Sequence, residues 1–150
     1  MSTGSSRGKP TRDDYVAWRT ATTRWRDDDA YGHLNNATYY ELFDTAVNAH
    51  LYEATGLDVR ALPQIGVVAE TSCRYFREIG FPEPIEMGMV VDKVGTSSVI
   101  YRIGLFQGDG DEAAAEGRFV HVYVDNTDPA RPVTPMPDSV RAAVAPLLRD

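Results

Sequence analysis

The chain has one cysteine, Cys73, so it cannot close an intrachain disulfide or supply a multi-cysteine zinc or iron–sulfur site. That lone thiol reads as a small buried apolar residue. Long hydrophobic runs are missing too, which excludes a membrane-spanning helix. Basic residues are in the minority: 15 Lys and Arg against 22 Asp and Glu leave a net charge of −7. Nucleic acid is therefore not expected as a partner, because phosphate neutralisation needs a basic surface. A small anionic ligand stays possible, since a few arginines can gather locally. There is no G-x-S-x-G elbow, no H-E-x-x-H and no phosphate-cradling glycine loop before a helix. The three histidines, His33, His50 and His121, are scattered.

What is present suits one domain of ordinary composition. The opening "MSTGSSRGKPTRDD" is polar and lacks the apolar centre of a secretory signal. Residues 1–12 are expected to be a disordered lead-in, 13–150 a single domain, and the cytoplasm the compartment. β-branched and aromatic residues over 15–25 predict a strand. From 37 to 55 the apolar residues Tyr39, Phe43, Ala46, Val47 and Ala54 recur at helical spacing, and Gly56 is placed to end that helix. Its start is marked by Asn35 or Asn36 as cap, or by a capping box from Thr38 to Glu41. Four strand-like runs follow, at 67–78, 85–95, 98–107 and 113–124. Their turn-rich separators predict antiparallel meander pairing. Residues 139–148 predict a short closing helix. The order gives an α+β domain of about five strands packed on one long helix. Apolar residues on both faces of the strands, with one helix to cover one face, favour self-association.

The densest chemistry lies at "RWRDDDAYGHLNN", where Asp27, Asp28 and Asp29 precede the helix. A metal is not expected there. The spacing of a calcium-wrapping loop is missing, and neighbouring side chains in extended backbone point apart. A solvated loop with acids matched to the helix terminus explains the cluster without chemistry. One carboxylate beside the unpaired N–H groups of the helix start would nevertheless make a base or nucleophile facing an oxyanion site. That equipment is thin for an amide but sufficient for a thioester, whose thiol, with a pKa of roughly 8.5, departs without a dedicated acid.

The stretch "RWRDDDAYGHLNNATYYELFDTA" resembles the opening signature of the hotdog-fold acyl-CoA thioesterases, in particular the 4-hydroxybenzoyl-CoA thioesterase-like family. That signature is an aromatic-ended strand, then D-x-D-x-x-G, then a long aromatic-rich helix. "VVAETSCRYFREIGFPEPIEMGMVV" and "AEGRFVHVYVDNTDPARPVTPMPDSVRAAV" are similar to later strands of the same family. The resemblance implies a hotdog fold and hydrolysis of an acyl-CoA to free acid and CoA. It implies a homodimer or homotetramer, and no cofactor beyond the CoA carried by the substrate. By position it places the catalytic carboxylate at Asp29 and leaves Asp27 structural. It places the carbonyl-polarising backbone N–H at Asn36, and at Gly32 a turn where a side chain would obstruct the substrate. His33 and Asn35 fall at variable positions, for substrate orientation or for bracing the loop. Glu70 is either a second carboxylate or a paired surface residue. Arg26 departs from the pattern, which has a small residue there. Arg74, Arg77, Lys93, Arg102 and Arg118 are candidates for the CoA phosphates. Two other readings are a non-catalytic acyl-thioester binding module of the same fold and, less well matched, an enoyl-thioester hydratase.

Overall fold

The computed structural model describes residues 8–149. Five strands, β1 (Ala17–Ala21), β2 (Gln64–Tyr75), β3 (Ile85–Val94), β4 (Ser98–Phe106) and β5 (Ala115–Asp125), form one antiparallel sheet in the order β1-β3-β4-β5-β2. The long helix α1 (Asn36–Thr55) and the short α2 (Asp138–Val144) complete it. This is the α+β arrangement of a hotdog, five strands around one long helix.

The meander holds only for β3, β4 and β5. Instead of pairing with β3, β2 lies at the far edge against β5, while β1 pairs with β3. The 76–84 connection is long enough to cross between the two edges, which no tight hairpin turn would allow. The expected strand over 15–25 shrinks to five residues, because Trp25–Asp27 turns as a 3-10 segment and Tyr15 leaves the ladder. The expected 139–148 helix stops at Val144: Pro146 cannot extend it, and a 3-10 turn follows.

Helix α1 begins where Asn35 accepts the Ala37 N–H at 3.0 Å, so Asn35 is the cap and Thr38 already lies inside the helix. Gly56 closes it in the left-handed region, at φ 69°, with its N–H on the Tyr52 carbonyl. Phe43, Ala46, Val47 and Leu51 form the buried stripe. Phe43 reaches the sheet because Gly117 of β5 has no side chain: a Cβ there would stand 2.4 Å from the phenyl ring. Full burial of such a ring is worth about 1.5–3 kcal/mol.

The sheet's other face is covered by the chain's own start. The Tyr15 ring lies on Gly88 and Gly104, and its hydroxyl donates to Glu116. Arg102 joins Glu116 at 3.3 Å and Asp92 at 2.9 Å. Arg12 stacks 4.7 Å above Phe106 and pairs with Glu86. The expected lead-in therefore ends before Thr11, which bridges to Glu112 and precedes this docked segment. Its residues 1–7 lie outside the described part of the chain.

Candidate active site

The loop between β1 and α1 separates the three acids. Asp27, only 6% exposed, takes three donors from Arg24: the backbone N–H at 2.8 Å, Nε at 3.1 Å and Nη2 at 2.8 Å. Its carbonyl accepts the Asn35 N–H at 2.7 Å. Burial pushes this carboxyl up, but the Arg24 side-chain and backbone bonds and the charges of Arg24 and Arg26 outweigh it, and the net direction is down. Asp28 turns the other way and accepts the Phe81 N–H, tying in the 78–82 loop.

Asp29 is exposed. Its Oδ1 accepts the N–H groups of Tyr31 at 2.8 Å and His33 at 3.2 Å, and Oδ2 has no hydrogen-bond partner among the described residues. The Tyr31 and His33 bonds hold its carboxyl below the ordinary aspartate value, so it is ionised at neutral pH. Its N–H donates to the His33 carbonyl at 2.7 Å, folding the loop back towards the helix start. Gly32 makes that turn at φ 82°. A Cβ at Gly32 would meet nothing within 4 Å in this chain, so the backbone angle by itself already favours glycine at this turn.

Asn36 is the first helical residue, and its N–H has no acceptor among the described residues. Its carboxamide, to which the sequence assigned no part, accepts the Tyr75 hydroxyl. Tyr75 lies edge-on to Tyr39 at 5.0 Å. Burial and nearby Cys73, Glu78 and Asp29 push Tyr39 up to about 12, and burial pushes Cys73 up to about 11. Cys73 is thus a thiol, not a nucleophile. Sequence reasoning missed the tyrosine pair. The alternation of Cys73 and Tyr75 on one strand was its only trace.

His33 meets Glu78 at 2.7 Å and, with Asn35 as the cap, braces the loop. Glu70 pairs with Arg118 and sits five residues from Tyr75 along β2, about 17 Å away. Arg102 and Arg118 are held in ion pairs, Arg77 donates to the Gln107 carbonyl, and Arg74 lies over Phe76. Among the described residues no three or more His, Cys, Asp or Glu side chains gather as a metal would require, and no helix is long and apolar enough to cross a membrane.

Asp29, whose carboxylate is held ionised, and Asn36, whose helix-start N–H has no acceptor among the described residues, lie at the two ends of one short loop. The model of the thioesterase-like superfamily matches residues 23–144, which include this loop and all of the sheet beyond β1. The chain belongs to that superfamily and is, by class, a thioester hydrolase. The PA5185 protein of Pseudomonas aeruginosa strain PAO1 is 45% identical, covering 94% of this chain and 97% of its own, with a TM-score of 0.88. The PA2801 protein of Pseudomonas aeruginosa is 29% identical over 87% of this chain and 99% of its own, with a TM-score of 0.77. Slr0204, a 1,4-dihydroxy-2-naphthoyl-CoA thioesterase from Synechocystis, is 12% identical over 85% of this chain and 93% of its own. At a TM-score of 0.76 it shares the fold alone. No curated protein matches the chain.

Proposed function

We propose that the chain hydrolyses the thioester of an acyl-CoA, with Asp29 as the catalytic carboxylate and the Asn36 N–H as the oxyanion donor. One observation supports the reading: among the described residues Asp29 keeps Oδ2 unpaired while its Oδ1 is fixed, in the loop that leads into a helix whose first N–H also has no acceptor. Oδ2 takes a proton from water as the water oxygen attacks the carbonyl carbon, or itself forms an anhydride that water then opens. The carbonyl oxygen gathers charge against Asn36, the C–S bond breaks, and CoA leaves as thiolate. No cofactor enters these steps. Superfamily membership and the fold shared with a CoA-thioester hydrolase support the choice of CoA.

The working unit is a homodimer paired through β2. That strand is a sheet edge, and residues 68–72 along it are exposed. Unpaired edges of this length are usually covered. An antiparallel pairing of two β2 strands would also bring each start of β2 towards the partner's helix start.

Thiol release from a panel of aliphatic and aromatic acyl-CoAs is the test, with turnover expected on at least one member. Binding across the panel without thiol release would replace the enzyme with a binding module. Single turnover in ¹⁸O-water tests the anhydride route: label in the Asp29 carboxylate requires an anhydride opened at the aspartyl carbonyl, whereas label in the acid product alone is common to general-base attack and to an anhydride opened at the acyl carbonyl.

A further inference from the structure

A helix start carries several backbone N–H groups with no partner inside the helix, and in α1 the cap and the loop before it take up nearly all of them. Asn35 donates its own N–H to the Asp27 carbonyl at 2.7 Å. Its Oδ1 accepts the Ala37 N–H at 3.0 Å, and its carbonyl accepts that of Thr38 at 2.9 Å. Of the N–H groups from Asn35 to Thr38, only that of Asn36 has no acceptor among the described residues.

Asn36 carries a competitor for that donor in its own side chain. An asparagine oxygen bonds the backbone N–H of its own residue as well as those just beyond it. Ala37 and Thr38 are already engaged, so a loose Asn36 carboxamide would have its own N–H to turn to. It is not loose. Tyr75, the last residue of β2, donates its hydroxyl to Asn36 Oδ1.

The position of that hydroxyl is set by two rigid elements. Tyr75 is in register with Ala115 of β5, and its ring stands edge-on, at 5.0 Å, to Tyr39, which is itself 6% exposed. Cys73 and Tyr40 flank the same hydroxyl, which donates to Asn36. The Tyr75 residue is 48% exposed, so water would satisfy its hydroxyl equally well and burial does not call for this bond.

We propose that Tyr75 is a positioning residue for the oxyanion donor: its hydroxyl holds the Asn36 carboxamide off the Asn36 N–H and keeps that N–H open to the thioester carbonyl. The inference rests on the acyl-CoA reading for what the donor meets, and it gives Tyr75 no contact with the substrate. Its scale is one neutral hydrogen bond, a factor of about three to ten.

Tyr75→Phe, which keeps the ring against Tyr39 and removes the hydroxyl, provides the test in the full chain. Exchange of the Asn36 N–H with water, followed in the ¹⁵N-labelled protein, should slow by about three- to tenfold as the carboxamide closes on it. A residue that merely braced the helix start would give the opposite sign, because fraying quickens exchange. In the same variant kcat/KM for an acyl-CoA should fall by about three- to tenfold. Repeated in an Asn36→Ala background, where the N–H remains and the carboxamide is gone, Tyr75→Phe should change neither quantity further. Exchange that is unchanged or faster overturns the proposal whatever the turnover. A loss of turnover that persists in the Asn36→Ala background also overturns it, by placing Tyr75 on the substrate. Slower exchange in a chain that hydrolyses no acyl-CoA would uphold the hold on the carboxamide and discard the acyl-CoA reading instead.

Discussion

Two polar clusters in this molecule hold carboxylates, and they differ in what is left over. On the sheet's outer face, Glu116 is buried and takes the Tyr15 hydroxyl and Arg102, which also grips Asp92; the cluster is closed. In the 24–36 loop, Asp27 is closed in the same way by Arg24, yet among the described residues Asp29, two positions on, keeps one oxygen unpaired and Asn36 keeps its N–H free. Closed clusters hold the fold. Open valences, kept by backbone bonds at a fixed position, are what chemistry can use, and the protein spends its buried arginine contacts on the first kind.

The comparison breaks if Asp27 and Asp29 prove interchangeable. Asp29→Asn keeps an Oδ1 acceptor for Tyr31 and His33 but removes the ionised oxygen. Thioester turnover should fall by about 10²–10⁴, the range for a positioned base, with the melting temperature unchanged. Asp27→Asn turns an amide against the donors of Arg24 in a buried place. It should cost about 1–3 kcal/mol in urea unfolding, and far less activity per folded molecule. The opposite pattern would exchange their roles. On the outer face, Gly104→Ala sets a Cβ 2.4 Å from the Tyr15 ring carbon that bears the hydroxyl, and should cost about 1–3 kcal/mol without altering turnover.

Acid separates the two aspartates again. Both carboxyls are held below the ordinary value, so both effects are intact above about pH 4 and fade only as pH falls through the lowered values. For Asp27 the quantity lost is stability, because the unfolded chain takes up its proton first. Unfolding free energy measured down to about pH 3 should therefore decline less steeply in Asp27→Asn than in the wild type. For Asp29 the quantity lost is activity. The acid limb of kcat/KM should lie below the ordinary aspartate range, and a limb near pH 6 would assign the essential base elsewhere.

The helix and the five strands were legible because their periodicities are local: a stripe through Phe43, Val47 and Leu51, and turn residues between the strand runs. Strand order was not legible. The placement of β2 beside β5 depends on a pairing about fifty residues apart, which no window of sequence contains. The D-x-D-x-x-G resemblance singled out Asp29 and Asn36 as candidates, but nothing in the sequence singled out Tyr75, which comes to Asn36 only when the end of β2 meets the helix start. The closed nature of Asp27 could not be read either, since three adjacent acids look alike until the backbone turns each a different way.

The smallest expected effect concerns Gly32, where the resemblance and the structure assign different reasons to one residue. At φ 82° an alanine is strained by about 1 kcal/mol, yet within this chain its methyl would touch nothing. Gly32→Ala should therefore lower stability by about 1 kcal/mol and, if backbone angle is the whole reason for glycine, leave the KM for acyl-CoA unchanged. A raised KM at unchanged kcat would show that substrate, or a second copy of the chain, fills the space beside the turn. Asp29 would then lie in a closed site after all, one completed by a surface that a single chain does not carry.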